Sequence, residues 1–207
     1  MSADRIALSF PPGSEHRKML KEVAGRISRG EVFVYPTETI YGIGGRFDDP
    51  EVYRKIIAAK VRPHEQAMIL VAGRRDALDR LDLTFPPAAR ELASAWWPGP
   101  LTMVLPSKEH PEGVAVRVSD HPLLAALATH VNVPLYSTSA NVSGSPYVPD
   151  PDAIYTLMKD RVDFMIDAGT LPDSKPSTVV RVTGDNAVSV LREGSIATAM
   201  VHRSYTR

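Results

Sequence analysis

Short apolar runs of strand length alternate with stretches of helical period along nearly the whole chain, and this alternation narrows the fold more than any other feature. Residues 14–30 place Met19, Leu20, Val23, Ala24 and Ile27 on one helical stripe, with Ser14 as the expected N-cap and Gly30 as the stop. Residues 32–35 read as an apolar strand, and Pro36 cannot donate to a ladder, so the polar, glycine-rich 37–45 begins a loop or hairpin. Asp49-Pro50 caps a helix that keeps its period to Lys60. Strands are expected over 67–71, 101–105, 114–118, 164–166, 178–182 and 188–191, and helices over 74–81 and 87–96. Asp120, followed by Pro122, is expected to open a helix through Leu127. Leu135-Tyr136 makes a short strand running into the polar segment 137–144, and Asp150-Pro151 caps a further helix. Interleaving of this kind predicts an α/β sheet flanked by helices. No linker divides the 207 residues, so a single domain over 1–207 is expected, with its motifs within about 14–195.

Composition removes several classes of function. Lys plus Arg (24) balances Asp plus Glu (24), so any anion site must be local rather than a whole-molecule basic field. The absence of cysteine excludes disulfides, thiolate nucleophiles and cysteine-held zinc. No stretch approaches the roughly 18 apolar residues of a membrane span, and a cytoplasmic protein without membrane contact is expected. Neither a phosphate-binding G-x-x-x-x-G-K-[ST] loop nor a dinucleotide fingerprint is present, and His64-Glu65 lacks the second histidine of a zinc-protease helix, since Met68 stands there. No metal-ligand set is expected; the six histidines read as surface or capping residues.

What remains is a set of polar clusters at the ends of strands and helices, where α/β sheets build their sites. Tyr35-Pro36-Thr37-Glu38-Thr39-Ile40-Tyr41-Gly42 sets two hydroxyls and a carboxylate after a strand; an ordinary hairpin turn would account for it equally well. Lys60 and Arg62, one residue apart just past a helix end, serve either the helix dipole or a polyphosphate. Residues 137–144 pack four hydroxyls and an amide into eight positions. Trp96-Trp97-Pro98-Gly99-Pro100 reads as core and turn.

The ordered series VYPTETIYGIGG, KVRP, WWPGPLTMVLP, VAVRVSDHP, STSANVSG, PSTVV and LREG, from about Val32 to Gly194, resembles the YrdC-like family of L-threonylcarbamoyladenylate synthases. The resemblance implies a twisted mixed α/β sheet with a concave positive cleft. It implies a nucleotidyltransferase that joins L-threonine, bicarbonate and ATP into threonylcarbamoyl-AMP, with Mg2+ accompanying ATP and pyrophosphate released. The product feeds tRNA modification through a downstream transferase. Carried over by motif, Lys60 and Arg62 contact the ATP phosphates and are the catalytic pair, and Gln66, Ser139, Asn141, Tyr147 and Arg192 fall on the nucleotide side. Thr39, Arg117, Ser137 and Ser177 match positions that hold threonine, Arg117 offering a fork for its carboxylate. Beyond KVRP the chain departs from many relatives, reading His64-Glu65-Gln66-Ala67-Met68 where they read D-N-P-L, and Val71 stands near where longer relatives carry a histidine. Two other readings compete: a non-catalytic RNA-binding module of the same fold, with weak RNA affinity, and a paralogue acting on another carbamoyl or nucleotide substrate.

Overall fold

The computed structural model describes residues 2–61, 68–172 and 175–205. Among them ten strands form one mixed sheet: β1 (Asp4–Ala7), β2 (Phe33–Tyr35), β3 (Gly42–Arg46), β4 (Ile69–Ala72), β5 (Leu101–Leu105), β6 (Val114–Val118), β7 (Leu135–Ser139), β8 (Phe164–Asp167), β9 (Thr178–Val182) and β10 (Val188–Arg192). Their spatial order is β1-β8-β2-β3-β7-β4-β6-β5-β9-β10, with parallel pairs β1–β8, β8–β2, β4–β6 and β5–β9 and antiparallel pairs elsewhere. The helices are α1 (Arg17–Ser28), α2 (Pro50–Lys60), α3 (Pro87–Trp96), α4 (Pro122–Leu127), α5 (Pro151–Met158) and α6 (Thr198–Arg203).

Strand alternation sorts side chains onto two faces. One face carries Val34, Ile43, Leu70, Met103, Val116 and Val180; α2 and α5 cover it at one end and α3 and α6 at the other. The opposite face carries Phe33, Tyr35, Val71 and Leu135, which α1 and α4 cover through Leu20, Val23, Ile27, Leu123 and Leu127. Farther along β4, β6, β7 and β9 that second face carries no helix among the described residues, and this stretch is the floor of a cleft.

Several expected elements take a different form. Ser14 is not an N-cap: it opens a 3-10 turn over Ser14–His16, whose His16 Nδ1 accepts the Gly13 N–H at 3.1 Å, and α1 starts only at Arg17. The segment expected as a helix over 74–81 is a 3-10 helix, Arg75–Leu81. The cap of α4 is His121, whose Nδ1 accepts the Leu123 N–H at 3.2 Å, not Asp120. The strand begun at Leu135 continues to Ser139, because Ser137 and Ser139 find ladder partners in β3. Strand β1 and helix α6 are additional; β1 is a mostly exposed edge strand, and Val201 is the buried residue of α6. No helix among the described residues is long and apolar enough to cross a membrane.

Candidate active site

The cleft has a volume of about 580 Å³ and is lined from the turn before β3, the end of α2, strands β4, β6 and β7, the loop after β7, and the meeting point of β9 and β10. Period-2 alternation turns Ala115 and Arg117 to the floor while Val116 and Val118 enter the core on the other face, as a half-buried strand requires. Val71 pairs with Arg117 and Ile69 with Ser137, so the floor is a continuous patch across neighbouring strands.

Around Arg117 the hydrogen bonds have a defined direction. Thr37 donates its hydroxyl to Ile40 O at 2.7 Å, so at the 2.8 Å Thr37–Thr39 contact Thr39 is the donor. The Thr39 oxygen in turn accepts Arg117 Nη1 at 3.2 Å. Arg117 is 4% exposed, and its Nε stands 3.7 Å from Glu38 Oε1. Beside it, Ser137 Oγ accepts, at 2.8 Å, the Tyr35 hydroxyl, whose pKa burial pushes up to about 12. Gly44 makes this contact feasible: a Cβ there would stand 2.8 Å from the Tyr35 ring and 2.3 Å from Tyr136 O.

Lys60 lies in the last turn of α2 rather than past it, and the helix ends on Val61 in the left-handed region. It is 3% exposed, and its Nζ donates to Ser139 O at 2.7 Å and Asn141 Oδ1 at 3.0 Å. A lysine serving only the helix dipole would lie in solvent; this one is drawn across to β7. Asn141 is oriented by its Nδ2 bond to Ser145 O (2.6 Å) and by the Ser139 hydroxyl donating to its Oδ1 (2.6 Å), while Ser143 N–H closes the loop onto Lys60 O (3.0 Å). Tyr147, half-buried, accepts the Tyr41 N–H at 3.0 Å and has its hydroxyl raised by burial.

At the far wall Arg192 Nη2 donates to Ser177 O at 2.9 Å, and Ser177 Oγ shares a hydrogen bond with Thr102 at 2.9 Å. Gly194 packs so closely that a Cβ would lie 2.1 Å from Pro176 O, and its N–H meets Thr178 Oγ1. Burial first, and then the Arg117 charge, holds Arg192 below its ordinary value. Lys60, Arg117 and Arg192 all line the cleft, and no carboxylate does so among the described residues.

Thus the structure gathers Thr39, Lys60, Arg117, Ser137, Ser139, Asn141, Tyr147, Ser177 and Arg192 around one cavity. Arg62 and Gln66, also expected there, lie outside the described residues. The sequence reading counts Thr37 and Ser143 within their polar clusters but gives them no role of their own, and it passes over Thr102; Thr37 and Thr102 take a role only as hydroxyls that hold Thr39 and Ser177.

The Sua5/YciO/YrdC family model, described as "Telomere recombination", matches residues 26–194. The chain belongs to this family. A threonylcarbamoyl-AMP synthase of Vibrio campbellii is 31% identical over 189 residues, covering 86% of this chain and 100% of that one. The structure of P. abyssi Sua5 complexed with L-threonine superposes with a TM-score of 0.87 at 28% identity, over 98% of this chain and 61% of that longer one. E. coli YciO superposes with a TM-score of 0.82 at 26% identity, over 97% of this chain and 100% of that one.

Proposed function

We propose that the cleft binds ATP and L-threonine and, with bicarbonate, forms threonylcarbamoyl-AMP and pyrophosphate for tRNA modification. The observation that carries this reading is the pairing of a buried, hydroxyl-flanked guanidinium at one part of the cleft with a lysine–serine–asparagine cluster at another. The activity named for the relatives and the L-threonine held by the P. abyssi neighbour support it.

Arg117, with Thr39, Ser137 and Ser177, receives the amino acid, a planar fork suiting its carboxylate. Lys60, Ser139, Asn141, Tyr147 and Arg192, with Arg62 and Gln66, receive the nucleotide, and the three cations make the cleft locally positive in a chain of zero net charge. ATP enters as its Mg2+ complex, the ion riding on the phosphates; among the described residues no cluster of His, Asp or Glu is placed to hold one. The threonine nitrogen, as the free amine, attacks the carbon of CO2 derived from bicarbonate; the proton it loses and the hydroxide given up by bicarbonate leave together as water, and a carbamate anion results. A carbamate oxygen then bonds to the α-phosphorus as the bond to the bridging oxygen breaks, and pyrophosphate leaves with that electron pair. Such a nucleophile needs alignment and charge neutralisation more than a general base, which fits a site of cations and neutral hydroxyls. The product passes to a tRNA-modifying transferase, and with it goes a cytoplasmic setting.

Purified protein given MgATP, L-threonine and bicarbonate is expected to release pyrophosphate, and omission of threonine is expected to abolish the release. Equal release without threonine would sink the reading in favour of another substrate, and RNA binding with no release at all would favour a non-catalytic module.

A further inference from the structure

Glu38 does not line the cleft, yet it meets the guanidinium that does. Its side chain is 14% exposed and that of Arg117 5% exposed. Its Oε2 accepts the hydroxyl of Ser119, a residue 1% exposed and itself held by the Ser119 N–H bond to Ala72 O (3.0 Å) and by the His121 N–H on its Oγ (3.2 Å). The other oxygen, Oε1, faces Arg117 Nε at 3.7 Å. Both atoms are buried and neither has a hydrogen-bond partner among the described residues. An acceptor and a donor left in this way, each normally paired when buried, stand only about 0.5 Å beyond bonding range. Nη1 of the same guanidinium donates to Thr39, and Arg117 itself lines the cleft.

We infer that Glu38 is a positioning residue for amino-acid binding: latched by Ser119, it fixes the rotation of the Arg117 guanidinium and takes up Nε as the ligand carboxylate docks. This rests on the proposed assignment of Arg117 to the threonine carboxylate. Without the Glu38 anchor the guanidinium is tethered, among the described residues, through Thr39 alone and turns about its terminal torsion, so the fork loses its aim while keeping its charge. A mere counter-ion role has the opposite signature. Removing a counter-ion from a buried cation leaves the incoming carboxylate as its replacement, so threonine would bind more tightly as the fold weakened.

The test is steady-state pyrophosphate release by wild type, Glu38→Gln and Ser119→Ala, with thermal melting of each. For Glu38→Gln the KM for L-threonine is expected to rise on the order of tenfold, with the KM for ATP within about twofold of wild type and kcat less affected than the threonine KM. Ser119→Ala, which frees the latch without touching Arg117, is expected to shift the threonine KM in the same direction by less, and it carries the test if Glu38→Gln does not fold. A threonine KM that is unchanged or lowered in the variants, or one that rises in step with that for ATP, overturns the inference while the wild-type activity still stands. A wild-type enzyme whose release ignores threonine overturns the assignment of the site and this inference with it.

Discussion

At Arg117 a sequence-level expectation meets a contact that no sequence pattern displays. Alternation along VAVRV already places Arg117 opposite Val116 and Val118, and those two valines lie in the core as expected. The flanking groups, Thr39 from 78 positions upstream and Glu38, come from another part of the chain altogether. Arg117→Lys keeps the charge but not the planar fork, and a lysine cannot span Thr39, Glu38 and a ligand carboxylate together. The threonine KM of this variant is expected to rise about tenfold or more, with the ATP KM within about twofold, both read from pyrophosphate release. Unchanged values of both constants would remove Arg117 from the amino-acid site. Lys60 teaches the reverse lesson: its place at a helix end was legible, but its burial against Ser139 and Asn141 was not, because those partners lie about eighty residues away.

Among the elements, those with a chemical start signal were the legible ones. Asp49-Pro50 and Asp150-Pro151 cap α2 and α5, each aspartate accepting a backbone N–H two residues on. Helix α4 shows how the same logic misleads, since the carboxylate of Asp120 was the more obvious cap and the neutral imidazole of His121 is the actual one. Burial holds the His121 pKa down to about 4, against an opposing pull from Asp120, and the ring packs edge-on to Phe10. The unfolded chain takes up this proton near 6.5 and the folded chain only near 4, so the associated stability is complete above pH 6.5 and is lost as pH falls toward 4. The loss amounts to on the order of 3 kcal/mol at most. Melting temperature is therefore expected to drop between pH 7 and 4.5 in wild type and to drop less in His121→Asn, which caps without titrating in this range. Superimposable pH profiles would show that His121 is not the group responsible. Strand β1 and helix α6 escaped notice because each has little to betray it: β1 is four mostly exposed residues ordered by β8, and α6 has no side-chain cap.

Over the whole molecule the sheet is one uninterrupted ladder from β1 to β10, with Tyr136 packed against the clusters under both α2/α5 and α3/α6. Unfolding is accordingly expected to be a single transition. Trp96 and Trp97, which pack at the α3 end, should report by fluorescence the same urea midpoint that far-ultraviolet circular dichroism reports for all the strands and helices. Separated midpoints would divide the chain into independently folding parts. The alternation of periods, the proline caps and the turn glycines sufficed to determine by themselves an α/β sheet with most of its elements in place, because these signals act within a few residues. The motif order, through its resemblance, also pointed to the residues now found around the cleft. Strand order, the face left uncovered between α4 and the β9–β10 end, and the convergence of PTET, STSAN, PST and LREG on that face were decided only by the tertiary structure. Parallel and crossover pairings join segments far apart in sequence, and which polar groups meet there depends on packing against helices that no local pattern specifies.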